Sequence, residues 1–84
     1  MSFIRFPLST TRAGDHVRIC ALDGKQLQAQ RLRELGILEG RTLRVVTNSD
    51  PLICQVGECR LGVCRRLAHC VLVESVPPDA ALSA

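Results

Sequence analysis

Five cysteines (Cys20, Cys54, Cys59, Cys64 and Cys70) and two histidines (His16 and His69) are the side chains of this 84-residue chain that could ligate a soft metal or attack an electrophile. Thiolate and imidazole donors suit zinc and similar ions, whereas ferrous iron usually draws in carboxylates as well. Spacing limits what these residues can do. No C-x2-C pair is present, so a zinc ribbon is not encoded. His16 and Cys20 lie in one alternating stretch, about 13 Å apart on a strand that rises about 3.3 Å per residue. One ion with bonds of about 2.0–2.3 Å cannot take both from a single strand, so a centre needs ligands from several strands or from two copies. Free cysteine is also among the most buried residue types, and packing as a small hydrophobe is its ordinary use.

Nucleophilic catalysis asks for a base within hydrogen-bond reach of the nucleophile and a group to orient that base. With two histidines and five cysteines a chance pairing carries no information. No serine occupies a nucleophile elbow, and the glycines form no phosphate-cradling loop. The chain is therefore expected to be no enzyme and to require no cofactor.

The formal net charge is +3, and the only local basic group is Arg60, Arg65 and Arg66. Single-stranded nucleic acid is usually held by stacking on aromatics, and here those are only Phe3 and Phe6, so no nucleic-acid partner is expected. The same lack of aromatics removes a polyproline-binding groove. Three cations hold a membrane surface weakly. The longest unbroken apolar runs, Ile19 to Leu22 and Cys70 to Val73, have four residues each, against about 20 for a membrane span. The stretch Met1 to Pro7 lacks the apolar core of a secretory leader. A cytoplasmic location is expected, and with an odd number of cysteines no disulfides.

Short elements must position these groups. His16–Leu22 alternates, with Val17, Ile19 and Ala21 on one face and His16, Arg18 and Cys20 on the other, as in a half-buried strand. Asp23 fits a helix cap, with Gln26 three residues on reaching back to it. Leu27, Ala29, Leu32 and Leu35 share one arc of the helical wheel, and Gln26, Gln30, Arg33 and Glu34 the other. Arg31 falls in the apolar arc and extends along its stem to water. Gly36 ends the helix in the left-handed conformation, and Gly40 supplies the positive φ of a type II turn. Strands follow at Thr42–Thr47, with Leu43 and Val45 inward, and at Leu52–Val56. Gly57-Glu58 makes a two-residue hairpin turn. Cys59–Cys64 then places Cys59, Leu61 and Val63 inward. A helical turn at Arg65–His69 leads to a last strand with Val71 and Val73 inward.

The pattern is mainly β: five short strands, one helix after the first and a helical turn before the last. A small bent barrel would remove the exposed edges of such short strands, although periodicity leaves other arrangements open. Residues 1–76 make one domain and 77–84 a frayed tail.

The stretch Arg31-Leu32-Arg33-Glu34-Leu35-Gly36-Ile37-Leu38-Glu39-Gly40 resembles the R-R-L-x-E-L-G-L-x-P-G signature of the FeoA family. Arg60-Leu61-Gly62-Val63-Cys64-Arg65-Arg66-Leu67-Ala68 resembles the family's run before its final apolar strand, and Leu8, Gly14 and Gly57 stand at other marked positions. Glu39 replaces a frequent proline and Cys64 a frequent leucine. The resemblance spans about residues 7 to 76, without DNA-binding helices.

It implies an SH3-like five-stranded barrel and a role in bacterial ferrous iron uptake beside the transporter FeoB. The partner would be FeoB's cytoplasmic GTPase region, with the membrane engaged only through it. A similar barrel ends the diphtheria-toxin-repressor-type metal regulators, which suggests DNA-linked regulation by analogy; the lack of a helix-turn-helix region makes that the weakest reading. In such a barrel the first and last strands are neighbours, so Cys20 is expected to approach Cys70 with His69 beside it. His69, Cys70, Cys20 and His16 are the candidate ligands for Fe2+ or Zn2+, within one copy or between two.

The surface left for a partner comprises Arg33 and Glu34 on the helix and Ile37, Leu38, Arg41 and Arg44 after it. Ile37 or Leu38 would be an apolar anchor within a polar rim, unless both plug the barrel end. The competing function is a metal-sensing or metal-carrying protein that uses outward Cys and His. Outward thiols also invite a homodimer in oxidising buffer or around a metal.

Overall fold

The computed structural model describes residues 4–77. In chain order the elements are β1 (Phe6–Pro7), a single 3-10 turn (Leu8–Thr10), β2 (His16–Leu22), α1 (Gln26–Glu34), β3 (Thr42–Thr47), β4 (Leu52–Val56), β5 (Cys59–Val63), α2 (Arg65–His69) and β6 (Val71–Ser75). All ladders are antiparallel, in the order β1-β6-β2-β3-β4-β5. Among the described residues no helix is long and apolar enough to cross a membrane.

Alternation places the core. Val17 and Ile19 of β2, Leu43 and Val45 of β3, Leu52 and Cys54 of β4, and Val71 and Val73 of β6 are at most 1% exposed. Leu32 of α1 and Ala68 of α2 join them, so both helices pack on one continuous cluster. Each fully buried Leu, Ile or Val contributes about 1.5–3 kcal/mol. In the β4–β5 hairpin Val56 pairs with Cys59 and Gly57 has φ +61, with no non-glycine at positive φ, which is a type II′ turn.

Several expectations are corrected. Among the described residues there are six strands rather than five. β1 is two residues long, too short to alternate, and it is recognised by its pairing of Phe6 with Val73 and Pro7 with Leu72. Pro7 is tolerated because β1 is an edge strand. No ladder joins β1 to β5, so hydrogen bonds do not close the sheet.

Asp23 does not cap α1. Its Oδ1 accepts the Gly24 N–H at 2.9 Å, and its own N–H donates to the Cys70 carbonyl at 2.6 Å. The reaching-back contact occurs two residues later, where Gln28 Oε1 accepts the Lys25 N–H at 3.0 Å. The apolar arc of α1 is also narrower than the wheel suggests. Ala29 and Leu32 are buried, while Leu27 is 74% and Leu35 40% exposed.

A register shift between Ile19 and Ala21 puts Ala21 opposite Leu72 and turns Leu22 toward the core, opposite Val71. Such an extra residue inverts the alternation beyond it. Cys59 is exposed rather than inward, because it sits at the tip of the β4–β5 hairpin while Val63, at the other end of β5, is buried. Of the expected frayed tail, residues 78–84 lie outside the described part.

Candidate functional site

The connection from α1 to β3 carries most of the expected partner surface, and its shape follows from one glycine. Gly36 has φ +98, just past the last residues of α1. The Gly36 N–H donates to the Arg33 carbonyl at 3.0 Å and the Ile37 N–H to the Leu32 carbonyl at 2.9 Å. These two bonds are the Schellman motif, which directs the residue after the glycine back onto the helix's apolar face. Ile37 is accordingly 0% exposed, as is Leu32, and it is removed from the candidate contact residues.

The chain then turns outward. The Arg41 N–H bonds the Leu38 carbonyl at 3.1 Å, and Gly40 at the third position of this turn has φ +87. Leu38 is left 41% exposed. Polar groups border it: Arg33 Nε pairs with Glu39 Oε1 at 3.5 Å, and Arg41 Nη1 donates to the Gly36 carbonyl at 3.4 Å. Arg44 Nη2 reaches Gln55 Oε1 at 3.5 Å, and Glu34 is exposed on α1. Exposed contacts of this kind contribute about 0–1 kcal/mol and exchange readily for contacts with another molecule.

The four candidate ligands are not brought together. Cys70 lies opposite Asp23, whereas Cys20 is the bulged residue of β2, between Ile19 opposite Val73 and Ala21 opposite Leu72. Cys20 Sγ donates to the Arg18 carbonyl at 3.7 Å. Burial and then the Glu74 carboxylate push its thiol pKa up, which keeps the proton on sulfur. Cys70 Sγ faces Gln28 Oε1 at 3.8 Å and the Arg66 carbonyl at 3.5 Å. His69 Nδ1 instead meets Ser9 Oγ at 3.2 Å. His16 is at the far end of β2, paired with Arg44. Among the described residues no group of three or more His, Cys, Asp or Glu could hold one ion.

The basic group is divided as well. Arg65 is engaged in structure, its backbone N–H on Asp50 Oδ1 at 3.1 Å and its Nη1 on Asn48 Oδ1 at 3.0 Å. Asn48 Nδ2 in turn donates to the carbonyls of Ser9 and Thr11. Sequence reasoning missed the apolar exposure of Leu27. The signal was Arg31, which shares its arc and would not sit on a buried face.

Cysteine chemistry separates along the same lines. Burial raises the Cys54 thiol to about 11, from 9.0. A thiol whose pKa is higher in the folded state adds stability that is complete below about pH 9 and lost as pH rises to about 11. Unfolding free energy is expected to fall by up to about 1.4 kcal/mol per pH unit in that window, and Cys54→Ala to remove this part of the slope. Alkylation of the native protein should modify Cys59 and Cys64, both exposed, and reach Cys54 only on unfolding. Early labelling of Cys54 would contradict its placement in the core.

The FeoA-domain family model matches residues 6–75. No curated protein matches the chain significantly. Among solved structures, an iron uptake regulatory protein described as FeoA is 29% identical, with a TM-score of 0.81 over 87% of this chain and 99% of that one. FeoA of Stenotrophomonas maltophilia, solved with zinc and described as an SH3-domain protein, is 28% identical, with a TM-score of 0.70 over 81% and 88%. A manganese-dependent transcriptional repressor shares the fold alone: 15% identity and a TM-score of 0.82, over 90% of this chain but 44% of the repressor.

Proposed function

The chain belongs to the FeoA family, which is associated with ferrous iron transport, and from that premise we propose that it is a non-enzymatic cytoplasmic accessory protein that docks on the GTPase region of a FeoB transporter and tunes transport. The observation that carries this reading is the Leu38 turn. Ile37 is buried and Leu38 is exposed on the turn that follows, with the Arg33–Glu39 pair and the Arg41 guanidinium at the same connection. A rigid apolar anchor in a polar rim is how small interfaces concentrate their binding energy. The S. maltophilia relative, described as a candidate ferrous iron transport activating factor, supports the same role. Docking tunes the GTPase only if the domain binds its nucleotide states with different affinities.

Calorimetry with the cytoplasmic domain of FeoB tests this. Leu38→Asp with Arg41→Glu is expected to weaken the complex at least about tenfold, about 1.4 kcal/mol, without changing the melting temperature. No complex with the unaltered protein, together with unchanged GTP hydrolysis, would discard the reading.

A second reading, a metal carrier, draws support from the zinc bound to that relative. Because Cys20, His69, Cys70 and His16 are dispersed in one copy, its centre would join residues of two. Equilibrium dialysis with Fe2+ and Zn2+ distinguishes the readings: a metal carrier binds half an ion per chain and dimerises with it, and a docking protein does neither.

A further inference from the structure

We propose that the groove between α1 and α2 binds an acidic segment of another protein that carries apolar side chains beside its carboxylates. The groove holds about 380 Å³ and is lined by Leu27, Gln28, Arg31, Cys64, Arg66 and Leu67. None of these belongs to the Leu38 surface, so the inference stands independently of docking on a transporter. Leu67 packs on the core and forms an apolar floor. Leu27, 74% exposed, stands over the groove from α1, one turn before Arg31.

The strongest polar groups lining it are donors. Neither the Arg31 nor the Arg66 guanidinium has an ion-pair partner among the described residues. Gln28 Oε1 is engaged by the Lys25 N–H at 3.0 Å and faces Cys70 Sγ at 3.8 Å, which leaves the Gln28 amide N–H groups to donate. Among the described residues no carboxylate lines the groove. Two guanidiniums and an amide donor beside leucines complement carboxylates set next to apolar side chains, as in an amphipathic helix laid in a groove. Attraction to an anionic membrane grows with the number of cations, and two are few. Nucleic acid would lack any aromatic on which to stack.

The probe is a labelled peptide with leucine at the i, i+3, i+4 and i+7 positions of a helix and glutamate elsewhere, followed by fluorescence anisotropy and amide chemical shifts. Saturable binding is expected, with the largest shifts around Leu27, Arg31 and Leu67. Arg31→Glu with Arg66→Glu should weaken it by about tenfold or more, and replacing the peptide's glutamates by glutamine should do the same. Leu27→Ser should weaken it about threefold or more. The three altered residues are exposed, so melting should not change.

No peptide binding, or binding indifferent to these variants, overturns the proposal. So does binding to phosphatidylglycerol vesicles that the Arg31→Glu, Arg66→Glu variant loses while the peptide fails to bind, since the ligand is then a lipid surface. Self-association abolished by Leu27→Ser, again without peptide binding, identifies a second copy as the occupant and overturns it equally.

Discussion

Gly24→Ala is expected to destabilise the protein by about 2–4 kcal/mol, because backbone strain and a collision act together at this position. Gly24 has φ +116, where a side chain is strained whatever space surrounds it. A Cβ there would also lie 2.8 Å from Gln28 Oε1, 2.9 Å from Cys70 Sγ and 3.4 Å from Cys70 Cβ. Neither neighbour can withdraw freely. Gln28 Oε1 accepts the Lys25 N–H at the start of α1, and Cys70 closes α2 while its carbonyl receives the Asp23 N–H at 2.6 Å. The methyl group would therefore pry apart the contact by which the two helices meet.

Gly36→Ala separates the two effects. Its φ is +98, but the nearest atom to its Cβ would be Arg41 Nη1 at 3.8 Å, an ordinary contact. Only strain remains, about 1–2 kcal/mol, and Gly36→Val should exceed it because a β-branched side chain fits that region worse. Urea unfolding of the three variants measures the difference. Equal losses for Gly24→Ala and Gly36→Ala would mean that Gln28 and Cys70 do not meet across Gly24.

How much of this was readable beforehand depended on the range of the interaction. Val17, Ile19, Leu43, Val45, Val71 and Val73 were placed correctly because a strand buried on one face must alternate. Gly36, Gly40 and Gly57 were legible because their φ values are local necessities. Errors arose where a distant element decided. Phe6–Pro7 becomes a strand only because β6 offers an edge, and the bulge in β2 appears only in its pairing with β6. Cys59 alternates as expected, yet nothing covers the hairpin tip, so its inward face meets water. The apolar arc of α1 calls for a core wide enough for four residues, and only Ala29 and Leu32 of it are buried. The candidate ligands failed to converge for a comparable reason. Cys20 lies on β2 and Cys70 just before the neighbouring β6, but the register, which no single strand encodes, sets Cys70 opposite Asp23 and Cys20 in the bulge between the Val73 and Leu72 pairings.

Ile37→Ala should cost about 2–5 kcal/mol, whereas Leu38→Ala should stay within about 0.5 kcal/mol. The sequence presents these as adjacent, nearly equivalent aliphatic residues, and one torsion separates their fates. With Gly36 at φ +98, the Ile37 N–H is returned to the Leu32 carbonyl, and both side chains enter the core at 0% exposure. Deleting the Ile37 side chain leaves a cavity in the buried cluster it shares with Leu32 and the inward residues of the strands, and a packed cluster relaxes only partly onto such a void. Leu38 is 41% exposed and leaves no comparable void. The functional ranking should run the other way. Leu38→Ala removes the anchor from an intact loop and should weaken the transporter-domain complex while melting is unchanged. Ile37→Ala should lower the melting temperature, and any loss of binding should follow the fraction unfolded. A stable Ile37→Ala protein with normal melting would show that the Schellman turn does not anchor the loop, and with it would go the fixed presentation of Leu38.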